Sequence, residues 1–506
     1  KSGRGKVLDD YGMSILTCDV YKKYKVTNPF SSRYVPNVCF AGRHYSSYLL
    51  EYVKMYTKLN DMAAQPFLSY THLLTSHDTN GRRIVNDDEN LADLFRHAAH
   101  LRNTVTIFTS DHGAKATNFA AYTTQGREEV AQPFLFIIVP HEVSKLLGPE
   151  AMDALVVNQN RLVGFEDLYH SLVSILDTNT NPKNCSLRAD SNRRHSESSV
   201  KVISTGLRGL FKPIPLDRTC EQMKLSLEVL CLCDGMDNTI SNDSQIVQWA
   251  AEFALGTLNN RIQEQYTTAL RLKSGLLASG FYGYGACQRY IGTAILRARH
   301  ANSGLEQKFF FSLMAKPYDR KTAEVFDVGV SLAMNENANG MTLNNLVRVS
   351  PFNKYEECTD RGVEPKLCAC HIHQQNKTLW RNELYSKTAS QKSFNLKPQT
   401  QILENPCLAI ISRVRKQNVG TERWQNAIQT YEAVNACPDV TYKLIIGYKR
   451  ARKTRISLKL PKSMTLLPRT VTFLMSAKNS WKYGKFIPRF TFEKRRWKGS
   501  TNEDAQ

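Results

Sequence analysis

The spacing of apolar and polar positions is most readable between residues 65 and 139. Residues 65–74 (QPFLSYTHLL) read as a strand that runs out into Thr75-Ser76-His77-Asp78. A helix is predicted next. Asn86, Asp87 and Asp88 crowd its start, where they favour capping and the helix dipole, and Leu91, Leu94, Phe95 and Ala98 fall on one face. The β-branched run TVTIFT at 104–109 reads as a second strand, and PFLFIIV at 133–139 as a third, apolar enough to be buried on both faces. Strand, helix, strand is the unit of a parallel sheet with helical crossovers, so the expected class is α/β. Further on, Ile246, Trp249, Ala250, Phe253, Ala254 and Leu258 keep helical spacing within 245–274. Residues 309–316 and 326–333 read as strands, which makes this an α+β accessory region.

The strand at 104–109 ends in Ser110-Asp111-His112-Gly113. Open α/β sheets place their chemistry at the carboxyl edge of strands. An adjacent Asp and His offer a divalent metal one hard oxygen and one imidazole nitrogen, and the glycine frees the backbone to turn. The bland alternative is an ordinary polar turn after a buried strand. His77, at the end of the preceding expected strand, joins the same rim; its alternative is a strand-end histidine bonded to a loop. His72 reads as packed within that strand, and Asp78 as a turn cap.

Several motifs occur together in order. They are Ser76-His77-Asp78, Ser110-Asp111-His112-Gly113, Gly126-Arg127-Glu128-Glu129 before Pro133-Phe134, and Asn160-Arg161-Leu162 before Asp167-Leu168. Leu210-Phe211, Arg218-Thr219-Cys220, Cys231-Leu232-Cys233, Val347-Arg348-Val349 and Cys358 to Cys368-Ala369-Cys370 follow. Over roughly residues 5–371 the chain resembles a sulfatase-like family of the alkaline-phosphatase superfamily, a domain of unknown function abundant in nematodes. The resemblance implies metal-dependent hydrolysis or transfer of a phosphate or sulfate ester. It makes Asp111 and His112 metal ligands and His77 a catalytic contact to the transferred group or the leaving oxygen. A metal would activate a bound hydroxyl and stabilise charge on the equatorial oxygens. Asp plus His favours Zn or Mn over Ca. The resemblance also places the chain in the secretory pathway or outside the cell, with an anionic ester or glycan as partner.

Family members carry an upstream strand ending in Asp-Ser and then a helix-opening Thr; neither precedes Leu74 here. Asp190-Ser191 lies in a polar stretch with no strand before it and is no substitute. The expectation is therefore the carboxy-terminal half of a catalytic domain over 1–180, without a nucleophile and inactive as written. A cysteine-containing accessory region at 200–371 and a basic extension at 372–506 complete the division. The rival reading is a non-catalytic protein that binds an anionic glycan or another ligand.

Charge sets the last boundary. Residues 371–506 hold 26 Lys and Arg against 8 Asp and Glu, +18 of the chain's +21. Within 443–498 basic residues alternate with apolar and aromatic ones, a composition suited to nucleic acid by phosphate contact and stacking, or to an anionic membrane surface. The alternative is a solvated basic extension. Cys220, Cys231 and Cys233 form C-x10-C-x-C, and Cys358, Cys368 and Cys370 form C-x9-C-x-C, a near-repeat that favours disulfides in two related subdomains or one symmetric framework. A zinc knot of Cys368, Cys370, His371 and His373 is the compressed rival. Asn184, Asn242 and Asn376 begin glycosylation triplets. No signal peptide and no apolar run of about 20 residues is evident. Oligomeric state stays open.

Overall fold

Short strands and helices build the first part of the chain in this computed structural model. The structure describes residues 23, 39–40, 42–73, 75–76, 83–180, 207–220, 222–223, 231–232, 238–274, 283–303, 306–333, 340–370, 384–418, 425–479 and 485–496. It divides into two units, residues 1–226 with 231–233, and residues 227–230 with 234–506.

In the first unit β1 (Cys39–Phe40) pairs with β2 (Arg43–His44), followed by α1 (Tyr45–Met62) and α2 (Asp88–His100). Asp88 and Glu89 occupy the first turn of α2, and Leu91 and Ala98 are buried on its inner face, as the spacing predicts. Next come β3 (Thr106–Thr109), α3 (Asn118–Tyr122), α4 (Thr124–Ala131), β4 (Leu135–Ile138), α5 (His141–Leu147), α6 (Pro149–Asn158) and α7 (Phe165–Thr180). Thr117 and Thr123 cap α3 and α4, each hydroxyl accepting a backbone N–H at 3.0 Å.

Two expectations are corrected here. Residues 65–73 form no strand, and His72 is exposed rather than packed within one. β3 and β4 pair antiparallel, from Thr106 opposite Ile138 to Thr109 opposite Leu135, and every strand pair among the described residues is antiparallel. β4 is not buried on both faces: Phe136 is 59% exposed. The apolar run serves an aromatic row instead. Phe95 meets Phe108 at 4.9 Å, Phe108 meets Phe134 at 5.0 Å, and Phe134 meets Phe136 at 5.6 Å.

The second unit contains β5 (Asn238–Thr239), α8 (Gln245–Ser274), β6 (Tyr290–Ser303), β7 (Glu306–Pro317), β8 (Glu324–Ala333), β9 (Met341–Arg348) and α9 (Leu384–Ser390). It continues through β10 (Gln399–Glu404), β11 (Leu408–Asn418), β12 (Gln425–Asn435), β13 (Val440–Arg452), β14 (Thr454–Ile456), β15 (Lys462–Leu466), β16 (Thr470–Asn479) and β17 (Lys485–Arg496). Among the described residues these strands form three sheets, ordered β5-β6-β7-β8-β9, β10-β11-β12-β16-β14 and β15-β13-β17. The helix expected at 245–274 and the strands expected at 309–316 and 326–333 are present.

Helix α8 joins the two larger sheets through consecutive asparagines. Asn259 exchanges hydrogen bonds with the backbone of Tyr290 in β6, and Asn260 does the same with Phe473 in β16. A Cβ at Gly256 would lie 2.2 Å from the Phe473 ring, so only glycine permits this approach. The core here includes Trp249, Leu258, Phe326, Val328, Ile411, Ile428 and Val471.

A group of charges is enclosed beside that core. Glu432 of β12 binds both Arg289 and Arg413, and Glu252 of α8 lies close enough to feel Arg413, Arg415 and Glu432. Burial pushes the Glu252 carboxyl up to about 7 from an ordinary 4.5, so its charged form is penalised in the folded state. A raised carboxyl pKa stabilises the fold fully below 4.5 and loses that contribution as pH rises through about 7. Glu252→Gln is therefore expected to be more stable than the parent by ~3 kcal/mol near pH 8 and to converge with it near pH 4. Urea unfolding at both pH values reads this out; a substitution that destabilises equally at both would show that Glu252 is ionised and satisfied.

Candidate metal centre

The end of β3 is clamped before Asp111 begins. Ser110 donates its N–H to the Phe134 carbonyl at 3.3 Å, accepts the Phe134 N–H on its hydroxyl at 3.2 Å, and Thr109 donates its hydroxyl to the same carbonyl at 2.9 Å. Asp111 and His112 then leave the sheet on a fixed base. The His112 backbone N–H bonds Asp111 Oδ1 at 3.0 Å. Its ring Nδ1 lies 2.7 Å from the Gly113 carbonyl. A carbonyl only accepts, so Nδ1 carries a proton, and in the neutral ring it is Nε2 that presents the lone pair. That Nε2 lies 3.4 Å from Asp111 Oδ2, with the Asp111 side chain 84% exposed and the His112 side chain 26% exposed.

This separation fits a shared ion. Two ligands bound at about 2.0–2.1 Å in tetrahedral geometry stand about 3.4 Å apart. Asp111 Oδ2 and His112 Nε2 would hold such a metal. Among the described residues no group of three or more His, Cys, Asp or Glu gathers as a metal site. His77 and Asp78, expected on the same rim, lie outside the described residues, as does Asp190-Ser191.

Gly113 has a different role from the expected turn. Its φ is not among the positive values, but a Cβ there would lie 2.1 Å from the Glu129 carbonyl oxygen. Gly126 likewise lets α4 approach the Phe119 carbonyl, which a Cβ would meet at 2.5 Å. Both motif glycines are requirements of close packing, and sequence spacing carries no signal of which carbonyl they face.

A Ser–His–Asp arrangement also occurs in this unit, without a motif to announce it. His44 Nδ1 bonds the Ser46 hydroxyl, which in turn donates to Asp87 Oδ1. The residue types match a hydrolytic triad but the geometry does not. Nδ1 faces both partners, whereas a triad needs the two ring nitrogens to face different ones. Ser46 and Asp87 are fully buried, out of reach of a substrate. Burial also lowers the His44 pKa, against the opposing pull of Asp87, so the ring is held neutral near pH 7. The cluster staples the start of α1 to the turn before α2.

The cysteines pair as Cys220–Cys231, Cys287–Cys368, Cys358–Cys370 and Cys407–Cys437. The near-repeat is not a structural repeat. Its first triplet joins first to second, its second joins first to third, and the two triplets belong to different units. Cys233 lies outside the described residues. Oxidised sulfurs at Cys368 and Cys370 exclude the zinc knot, since only thiolates bind zinc that way. Cys287, Cys407 and Cys437 have no spacing motif and only the fold shows their partners. Among the glycosylation triplets, Asn242 is half-buried and accepts the Ala298 N–H at 3.0 Å; Asn184 and Asn376 lie outside the described residues.

The basic stretch is strand-built. Residues 372–506 share a unit with the cysteine-bearing residues from 234 onward. Tyr442, Leu444, Ile446 and Phe486 are buried between sheets with Leu408, Tyr431 and Met475, and Phe490 and Phe492 pack against them. Lys443, Arg489, Lys494 and Arg495 are exposed. The alternation of basic and aromatic residues is the two-residue period of half-buried strands. It leaves Tyr448, 52% exposed, as the described aromatic on the outer side of β13, while the other aromatics of β13 and β17 serve the core. No helix among the described residues is long and apolar enough to cross a membrane.

These features define a mixed α/β protein of several antiparallel sheets and helices, with four cystines among the described residues. The family described as protein of unknown function DUF229 matches residues 9–274, just over half of the chain, and the chain belongs to that family. No curated protein and no solved structure matches it.

Proposed function

We propose that this chain carries part of a metal-dependent hydrolase or transferase of phosphate or sulfate esters, with Asp111 and His112 as two ligands of its metal. The observation that supports the reading is the 3.4 Å separation of Asp111 Oδ2 and His112 Nε2, with Nδ1 tied to the Gly113 carbonyl. A bound Zn or Mn would supply Lewis acidity and a nucleophilic oxygen near neutral pH. The chain's own contribution is positional. The clamp around Ser110 and Phe134 fixes the strand end, and the Gly113 carbonyl fixes the imidazole tautomer that presents a lone pair. His77, by the resemblance of its Ser-His-Asp motif, would contact the ester oxygen or protonate the leaving group. The cystines support a secretory or extracellular setting, where such bonds persist.

The test is calorimetric titration of the full chain with Zn and with Mn. Binding is expected, and Asp111→Asn and His112→Ala are each expected to weaken it at least about tenfold, second-sphere or ligand loss commonly costing that much or more. Unchanged metal affinity in both variants would overturn the proposal. A second reading, binding of an anionic ligand without turnover, is favoured by the exposed cations of β13 and β17. Salt-sensitive retention of the chain on heparin is its measurement.

A further inference from the structure

Three of the sequence motifs that the metal centre leaves unused meet at one place in the first unit. A cleft of about 360 Å³ is lined by Asp167, His170, Arg208, Gly209, Lys212, Pro213, Ile214, Pro215 and Arg218. Asp167 follows the Asn160-Arg161-Leu162 motif, Gly209 and Lys212 flank Leu210-Phe211, and Arg218 opens Arg218-Thr219-Cys220.

One wall is irregular chain, and buried polar groups fix it in place. Asn158 of α6 donates its amide to the carbonyls of Leu210 and Lys212, both at 2.9 Å, and accepts the Ile214 N–H at 2.8 Å. Arg161 donates Nε to the Ile214 carbonyl at 3.1 Å, and the Leu210 N–H bonds Ser171 Oγ of α7 at 2.8 Å. Gly209 has φ +66°, and a Cβ there would lie 2.2 Å from the Asp167 carbonyl oxygen. Pro213 and Pro215 stiffen the segment further. Asn158, Ser171 and Asp167 are all buried, so several otherwise costly polar groups are committed to holding this segment in one shape. Preorganisation of this kind suits a binding wall more than a connecting loop.

The charge of the wall selects the ligand. Three cations face a single carboxylate, and that carboxylate is already engaged: Asp167 Oδ2 accepts from Arg218 Nη1 and from the Gly164 N–H, both at 2.8 Å. Arg218 Nη1 also donates to the Leu162 carbonyl at 3.2 Å, so the guanidinium is held at the wall from one end. Nη1 accounts for two of a guanidinium's five donors. Arg208 and Lys212 extend from the two ends of the Gly209–Phe211 turn, exposed at the rim. Ile214 and the two prolines give the opposite character, an apolar surface beside the charges.

We infer that this cleft binds the phosphate or sulfate group of a small ester, held by Arg208, Lys212 and Arg218 against the Pro213-Ile214-Pro215 wall. A guanidinium fork and a flanking ammonium match a tetrahedral oxyanion in charge and in donor geometry. The volume lies at the small end of ligand pockets and admits a monosaccharide-sized group with its ester. The site uses none of the metal-centre residues and stands or falls independently of them.

The experiment is calorimetric titration of the full chain in EDTA, which separates this site from any metal. Inorganic sulfate, inorganic phosphate, glucosamine 6-sulfate and glucose 6-phosphate are compared with chloride at matched ionic strength. The sulfate or phosphate ligands are expected to bind where chloride does not. Tighter binding of the sugar esters than of the free ions identifies an ester site; equal binding identifies a site for the free anion. Arg208→Gln with Lys212→Gln, both exposed, is expected to weaken binding at least about tenfold while the ligand-free chain still unfolds cooperatively. Asp111→Asn is expected to leave it unchanged. Binding that chloride reproduces, or that the double variant retains in full, would overturn the inference.

Discussion

Glu432→Gln is expected to lower the unfolding free energy by about 3–5 kcal/mol, the cost of breaking a buried ion pair from one side. The carboxylate is shared by two guanidinium groups. Arg413 Nη1 lies 2.5 Å from Oε2, Arg289 Nη2 binds Oε1, and all three side chains are almost fully enclosed. Gln391 completes the group, its Oε1 accepting from Arg289 at 3.0 Å and its carbonyl from Arg413 at 3.3 Å. Glutamine keeps the size of the side chain and one acceptor but removes the charge, leaving two buried cations without their shared counter-ion. Burial alone would raise the Glu432 pKa; Arg289 and Arg413 outweigh it and hold the carboxyl down at about 2. A depressed carboxyl stabilises the fold above its ordinary 4.5, and that contribution is lost as pH falls through about 2. The parent should therefore lose its advantage over the variant only in strong acid. Denaturant unfolding near neutral pH with an unchanged slope is the measurement, and a cost below ~1 kcal/mol would mean that water reaches the pair. Glu252, enclosed near Arg413 and Arg415, carries the opposite sign because burial dominates its environment.

Replacing Cys287 and Cys368 together by serine is expected to cost ~4 kcal/mol, the largest effect among the four described disulfide pairs. The bond closes 81 residues, against 11, 12 and 30 for the others. Restricting the unfolded chain stabilises by an amount that grows with the logarithm of loop length, which puts the Cys220–Cys231 pair nearer ~3 kcal/mol. The native contacts at Cys287–Cys368 reinforce the argument. Gln288 donates its N–H to the Ala369 carbonyl at 2.8 Å and its side chain to the Cys370 carbonyl at 2.9 Å, and Arg348 donates to the Cys368 carbonyl at 2.8 Å. The serine pair leaves these partners in place, so the loss reports the cross-link itself. Thermal unfolding of the two double-serine variants ranks them. A smaller loss for Cys287–Cys368 than for Cys220–Cys231 would mean that the long loop is already restricted in the unfolded state.

Helices were the most legible part of the chain. The spacing of Ile246, Trp249, Phe253 and Leu258 marks α8, and the acidic start before Leu91 marks α2, because a helix is written within one turn of its own sequence. Strands were legible as segments at 309–316 and 326–333, but not in their pairing. The expected parallel sheet assumed that a strand at 65–74 crosses over through α2 to β3, but residues 65–73 form no strand and β3 pairs antiparallel with β4; a row of phenylalanines accounts for their apolar character as well as burial does. The basic stretch was open to more than one reading for a related reason. Alternating lysine and phenylalanine describes a binding platform and a half-buried strand equally, and only the sheet stacked against it decides where Phe486 and Phe490 go.

Asp111 and His112 could be singled out as a pair from sequence because neighbours in the chain remain neighbours in space. The cleft was not found, although its motifs were noticed separately, because Asp167, Arg208 and Arg218 come together only through the bonds Asn158 and Ser171 make to the turn at Gly209. By itself the sequence determined the helices α2 and α8, the adjacency of Asp111 and His112 and the uneven charge. The tertiary structure alone decided the strand directions, the cystine partners, the burial of the basic strands' aromatics and the carbonyls that Gly113 and Gly126 face. The physical reason is range: periodicity and local hydrogen bonding act over a few residues, whereas pairing and burial depend on surfaces supplied from far along the chain.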